Sequence, residues 1–162
     1  MCLWTDPIVF TNGILHGISD QMSPSETIII GAQWIPVRRI GEERGSLIPI
    51  DQADLPFDMN RAFFLMNVPP SAVRGEHSSS CHEWIIVLVG SFTCELDNGH
   101  QRSSVVLTTS TPALWLYPGV WVRLHSFAPG TIVAVAASLP YEKTRRWPTP
   151  NTALLREARS DA

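Results

Sequence analysis

The chain has 162 residues, of which 44% are hydrophobic and 17% charged, with a formal net charge of −3. This balance suits a single globular core and excludes a disordered chain; it supplies no basic block to hold nucleic acid and no apolar run near the ~20 residues of a membrane helix. The start, MCLWTDPIVF, lacks a positive segment followed by an apolar one, and Cys2, Cys81 and Cys94 are odd in number and scattered, so the reading is a cytoplasmic protein with reduced thiols.

Residues 1–25 show no clear periodicity and are read as part of an N-terminal arm, residues 1–34, that needs a partner surface such as a second subunit. Thirteen prolines and ten glycines then punctuate short runs rich in β-branched and aromatic residues. Strands are expected over 26–37, 45–51, 61–68, 82–90, 91–97, 101–109, 113–117, 121–127 and 131–138. Asn98-Gly99 between two of them is a hairpin signal, because such pairs accept positive φ. Pro118-Gly119 and Ala128-Pro129-Gly130 mark two more turns. Many short strands joined by turns read as an all-β sandwich or barrel. Only the tail, 148–162, reads helical, with Thr152 as the expected cap of ALLREAR.

The stretch Arg74 to Trp84, RGEHSSSCHEW, carries the densest chemistry. His77 suits acid–base work because imidazole titrates near neutrality. Glu83 is a candidate to orient His77 or to act as a second base, and pairing with Arg74 is its structural alternative. A metal is not expected: His77 and Glu83 make two ligands, where a catalytic zinc or iron site normally takes three from the protein. His82 faces away from His77 and Glu83 on a regular strand. Arg61 and Arg74 are candidates to hold an anion through bidentate hydrogen bonds. His16, His100 and His125 receive no role, and adjacent serines with no Gly-x-Ser-x-Gly elbow do not suggest a nucleophile.

Taken in order, ERGSLIPI (43–50), RAFFLM (61–66), RGEH (74–77), DNGH (97–100), PGVWVRLHSF (118–127) and VAAS (135–138) resemble the WxcM-like nucleotide-sugar 3,4-ketoisomerases, a branch of the RmlC-like cupins. The resemblance spans roughly residues 35–147. It implies a homodimeric cupin jelly-roll domain over 35–147, no cofactor, and proton transfer that moves a keto group between C3 and C4 of a dTDP-linked deoxyhexose. The arm is unmatched and is expected to cross to the partner as an added strand, which would bury the apolar run TIIIGAQWI.

Several positions depart from the pattern of that family. Its second histidine falls on Ser79, two tyrosines on Phe63 and Phe64, a glutamine on Trp84, a tyrosine on Trp115, and a histidine on Val122. If these positions line the cavity, hydrogen-bonding groups have been exchanged for apolar surface, and each unpaired sugar hydroxyl would cost ~1–3 kcal/mol. Three readings stay open. The first is a cofactor-independent isomerase or cyclase acting on a less polar small molecule, for instance a natural-product intermediate. The second is an authentic sugar ketoisomerase with recruited residues, and the third is a non-catalytic binding or partner protein. The first assigns His77 and Glu83 to catalysis and Arg61, Phe63, Phe64, Arg74, Ser79, Trp84, Trp115 and Val122 to substrate binding.

Overall fold

The computed structural model describes residues 26–160. In chain order the strands are β1 (Thr27–Ile29), β2 (Ala32–Ile35), β3 (Ile40–Glu42), β4 (Gly45–Leu47), β5 (Arg61–Leu65), β6 (Arg74–Ser79), β7 (Glu83–Val89), β8 (Ser91–Asp97), β9 (Arg102–Thr108), β10 (Ala113–Leu116), β11 (Trp121–His125), β12 (Ile132–Ala137) and β13 (Arg146–Trp147). One helix, α1, covers Thr152–Ser160. A six-stranded sheet runs β1-β2-β10-β7-β12-β5, a five-stranded sheet runs β13-β6-β11-β8-β9, and β3 and β4 form a small separate ribbon.

The two large sheets pack face to face because their strands alternate. On β8, Phe92, Cys94 and Leu96 are buried while the residues between them are partly open. They meet Ile85 and Val87 of β7 and Val133 and Val135 of β12 in the main core, where Phe92 stacks on Phe127 at 5.2 Å. β7 has no such alternation over Trp84–Val87, all of it buried. Both faces of this central strand are covered: Trp84 and Ile86 point away from the main core into a second cluster with Leu55, Ala113, Ala134 and Ala136. The segment around Leu55 and Phe57 closes over that face, which explains the unbroken apolar run IIVLV.

Most expected strands are present with trimmed ends. The single strand expected over 26–37 is two, β1 and β2, broken at Gly31, whose φ is +88°. These two strands pair with each other, and β2 pairs with β10 of the same chain. The rest of the proposed arm, residues 1–25, lies outside the described residues, as does the question of an arm crossing to a partner. The hairpin at Asn98-Gly99 forms, but with four residues, 98–101, between the paired ends Asp97 and Arg102. The buried side chain of Asn98 organises it, its Oδ1 accepting from the Gln101 and His100 amides at 2.7 and 2.9 Å. The helix at the C-terminus is also as expected, with one correction. Its cap is Asn151 rather than Thr152, since the Leu154 amide donates to Asn151 Oδ1 at 3.1 Å.

The largest correction concerns β6. The sequence pattern gives no strand over RGEHSS, yet this segment is one, held between β11 and the short β13. It carries a bulge. His77 opposes Val122 and Gly75 opposes Arg123, so Glu76 is the extra residue. Gly75 and Glu76 both have positive φ, +79° and +57°.

Candidate active site

The bulge in β6 decides what the site contains. Residues 74 and 77 differ by three and would face opposite sides of a regular strand. The extra residue restores their parity, and Arg74 and His77 both reach one cavity of about 460 Å³ between the two sheets. Gly75 permits this locally: a Cβ there would meet the Val122 carbonyl oxygen at 2.8 Å, in addition to the strain of its φ.

The opposite wall comes from the six-stranded sheet. Glu83 and Ile85 enter from β7, Arg61, Phe63 and Leu65 from β5, and Val135 from β12. Val122 and Leu124 of β11 complete the floor, while Tyr141 and Arg146 close the side. His77 and Glu83 therefore look into the same space from different sheets. Apolar side chains line its depth and the exposed Arg74 and Arg146 stand at its mouth.

The imidazole of His77 is held by its own strand. Its Nδ1 is 2.8 Å from the carbonyl oxygen of Gly75. A carbonyl only accepts, so Nδ1–H is the donor, and in the neutral ring Nε2 keeps a free lone pair. Glu83 sits nearly buried, with Oε1 4.0 Å from Arg61 Nη2. Burial pushes its carboxyl above the ordinary value, and the positive fields of His77, Arg61 and Arg146 and the Cys81 thiol only partly oppose this. The guanidinium of Arg61 lies against the Phe63 ring at 4.9 Å and the Tyr141 ring at 5.8 Å, and Arg146 covers Tyr141 at 4.8 Å.

Of the ten residues assigned from sequence, six meet at this cavity: Arg61, Phe63, Arg74, His77, Glu83 and Val122. Ser79 lies on the same face of β6 but is buried behind the wall, with its Oγ 3.0 Å from Cys81 Sγ. Phe64, Trp84 and Trp115 are elsewhere, which corrects their assignment as pocket lining. Phe64 follows the inward Phe63 and so points outward, 56% exposed. Trp84 follows the inward Glu83 and fills the second core. Trp115 pairs with Trp84 across the strands and shares its side; its Nε1–H donates to His82 Nδ1 at 3.2 Å. His82, stacked on Phe57 and met edge-on by Tyr117, faces away from the cavity as expected. Burial lowers its pKa, which keeps it neutral as the acceptor of the Trp115 bond.

Sequence reasoning does not single out Tyr141, Arg146 or Cys81 as site residues. The basic and aromatic run YEKTRRW just past the last long strand is the available signal, but nothing local says that it folds back beside β6. Among the described residues no three His, Cys, Asp or Glu side chains gather as a metal site, and no helix is long and apolar enough to cross a membrane.

Residues 30–146 match the family described as FdtA: WxcM-like, C-terminal. The chain belongs to this family. Among solved structures it is similar to a variant of the QdtA 3,4-ketoisomerase from Thermoanaerobacterium thermosaccharolyticum in complex with TDP. That match has 28% identity and a TM-score of 0.70, and covers 83% of this chain and 98% of that one. The WlaRB TDP-quinovose 3,4-ketoisomerase from Campylobacter jejuni aligns at 24% identity and TM-score 0.69 over 79% and 99% of the two chains. The RmlC 3,5-epimerase of Legionella pneumophila, at 19% identity and TM-score 0.62 over 74% and 73%, shares the fold. No curated protein matches the sequence. This WxcM-like chain is thus an all-β, RmlC-like jelly roll, and its relatives of known structure are isomerase-type cupins.

Proposed function

We propose that this WxcM-like protein is a metal-independent acid–base isomerase of a small keto compound that carries an anionic group. The observation that carries the reading is the placement of His77 and Glu83 on opposing sheets around one cavity, with arginines at its mouth. A ketone beside a hydroxyl-bearing carbon isomerises through an enediol. One group removes the carbon-bound proton while another protonates the carbonyl oxygen, and the reverse steps place the new C–H on the former carbonyl carbon. The free Nε2 of His77 suits proton removal. Glu83, with its raised proton affinity, suits protonation of the oxygen. No electron acceptor is required, because the isomerisation is redox-neutral overall.

The arginines support an anionic group in the substrate. Arg61 Nε is buried without a hydrogen-bond partner among the described residues, and a ligand oxygen would satisfy it. The cavity floor supports a ring with few hydroxyls. Phe63, Leu65, Ile85, Val122, Leu124 and Val135 offer no hydrogen bonds there, so each hydroxyl pressed against them would cost ~1–3 kcal/mol. Apolar ring surface would instead gain ~25 cal/mol per Å² buried. The substrate preferred on these grounds is less hydroxylated than a common sugar, as in a natural-product intermediate.

A second reading, an authentic TDP-sugar 3,4-ketoisomerase, is favoured by the three arginines and by the similarity to QdtA bound to TDP. Exposed Phe64 on the edge strand β5, with exposed Met66 just beyond it, supports the homodimer as part of either reading. The experiment is proton exchange in D₂O followed by NMR. TDP-4-keto-6-deoxyglucose and anionic ketones with fewer hydroxyls are incubated with the wild type and with His77→Asn. Deuterium entering the carbon next to the carbonyl, and lost with His77→Asn, is expected, with faster exchange for the less hydroxylated compounds. Faster exchange of the sugar nucleotide selects the second reading. No exchange in any compound, or full exchange by His77→Asn, overturns the acid–base reading.

A further inference from the structure

Behind the cavity wall a short polar chain runs from β6 into the start of β7. The amide of Cys81 donates to Ser79 Oγ at 3.2 Å. Ser79 Oγ is 3.0 Å from Cys81 Sγ, and either atom can donate; the arrangement that satisfies every group has the hydroxyl donating to the sulfur. The thiol hydrogen is then directed to the next acceptor, Glu83 Oε1, 3.8 Å away. Arg61 Nη2 approaches that same oxygen at 4.0 Å and lies 3.9 Å from the sulfur. Thr144 Oγ1 closes the group from the far side, 4.0 Å from Cys81 Sγ and 3.4 Å from Arg61 Nη1. The thiol hydrogen bond and the Arg61 ion pair converge on Oε1, and Oε2 makes no hydrogen bond among the described residues.

Cys81 is 1% exposed and does not line the cavity, so it is not placed to attack a ligand as a thiolate. Burial and the neighbouring Glu83 charge raise its pKa, which keeps the S–H donor present through neutral pH. The charged groups acting on Glu83 are Arg61 from β5, His77 from β6 and Arg146 from β13, with the thiol as the remaining polar neighbour.

We propose that Cys81 is a positioning residue: with Arg61 it pins Oε1 of Glu83 and so presents Oε2 to the cavity as the oxygen that exchanges a proton with the substrate. Ser79, on which the second histidine of the family pattern falls, is the first member of this chain. The inference rests on the acid–base reading for its role in turnover, but how the carboxylate is held is testable without a substrate.

The experiment is an NMR titration of the Glu83 side-chain carboxyl, ¹³C-labelled in the full chain, for the wild type, Cys81→Ala and Cys81→Ser. Losing a donor to the carboxylate destabilises its charged form. Cys81→Ala should therefore move the Glu83 midpoint to higher pH, and Cys81→Ser, which keeps a hydroxyl donor, should bring it back towards the wild type. In the deuterium-exchange assay Cys81→Ala should lower kcat about fivefold with KM unchanged, as expected for one modest hydrogen bond, and Cys81→Ser should recover it. A midpoint unmoved in Cys81→Ala, or a folded Cys81→Ser that titrates like Cys81→Ala, overturns the proposal. If the midpoint moves as expected while the wild type exchanges nothing, the held carboxylate stands and the acid–base reading is the part that fails.

Discussion

Gly75→Ala tests the claim that a backbone bulge builds the site. Two costs add at this position. A residue with a Cβ at φ +79° pays ~1–2 kcal/mol for left-handed geometry. The new Cβ would also stand 2.8 Å from the Val122 carbonyl oxygen, backbone that cannot swing aside; relieving such an overlap in a packed region costs ~1–3 kcal/mol. The sum is ~2–5 kcal/mol, or a fall in Tm of roughly 5–15 °C for a chain of this length. Gly130→Ala is the matched control, since Gly130 has a similar φ of +75° but nothing within 4 Å of its Cβ position. It should lose only the conformational part, ~1–2 kcal/mol. Calorimetric melts of both variants give the difference directly. Deleting Glu76 then asks about function, because without the bulged residue Arg74 and His77 stand two apart on a regular β6 and still share one face. That deletion should keep isomerase-type exchange while the melt remains cooperative. Equal losses for the two glycine variants, or a folded deletion variant that exchanges nothing, would refute the argument.

Two further outcomes follow from buried polar groups. Asn98→Ala removes acceptors from the His100 and Gln101 amides and a donor from the Ile30 carbonyl, 3.0 Å from Nδ2, so denaturant unfolding should show a loss of ~3 kcal/mol. For Glu83, burial raises the folded-state pKa above the ordinary 4.5. Its favourable contribution is thus complete below that value and is lost as pH rises through the folded midpoint. Glu83→Gln, which has no charge to bury, should match the wild type most closely in acid and gain on it towards alkaline pH in Tm measured across pH. A relative loss with rising pH would contradict the desolvation argument.

The apolar-wall argument survives on different residues from those the family pattern points to. The positions at Phe64, Trp84 and Trp115 suggest a greasy interior, yet period-2 alternation sends Phe64 and Trp84 away from it once Phe63 and Glu83 point in. The lining that does make the floor apolar includes Leu65, Ile85, Leu124 and Val135, residues that sequence alone does not separate from ordinary core. His77, Glu83, Arg61 and Arg74 were legible because charged or titratable groups near apolar strands have few structural reasons to be there.

The all-β character, the turns at Gly99, Gly119 and Gly130, and the family were determined by the chain's own pattern, because alternation and positive-φ glycines act over a few residues. The strand identity of Arg74–Ser79, the common face of Arg74 and His77, and the return of Arg146 to the cavity were decided by tertiary structure. Serine, glycine and glutamate have little intrinsic preference for a strand. Here β11 and β13, distant in sequence, supply the hydrogen bonds that make RGEHSS one and fix where its bulge falls.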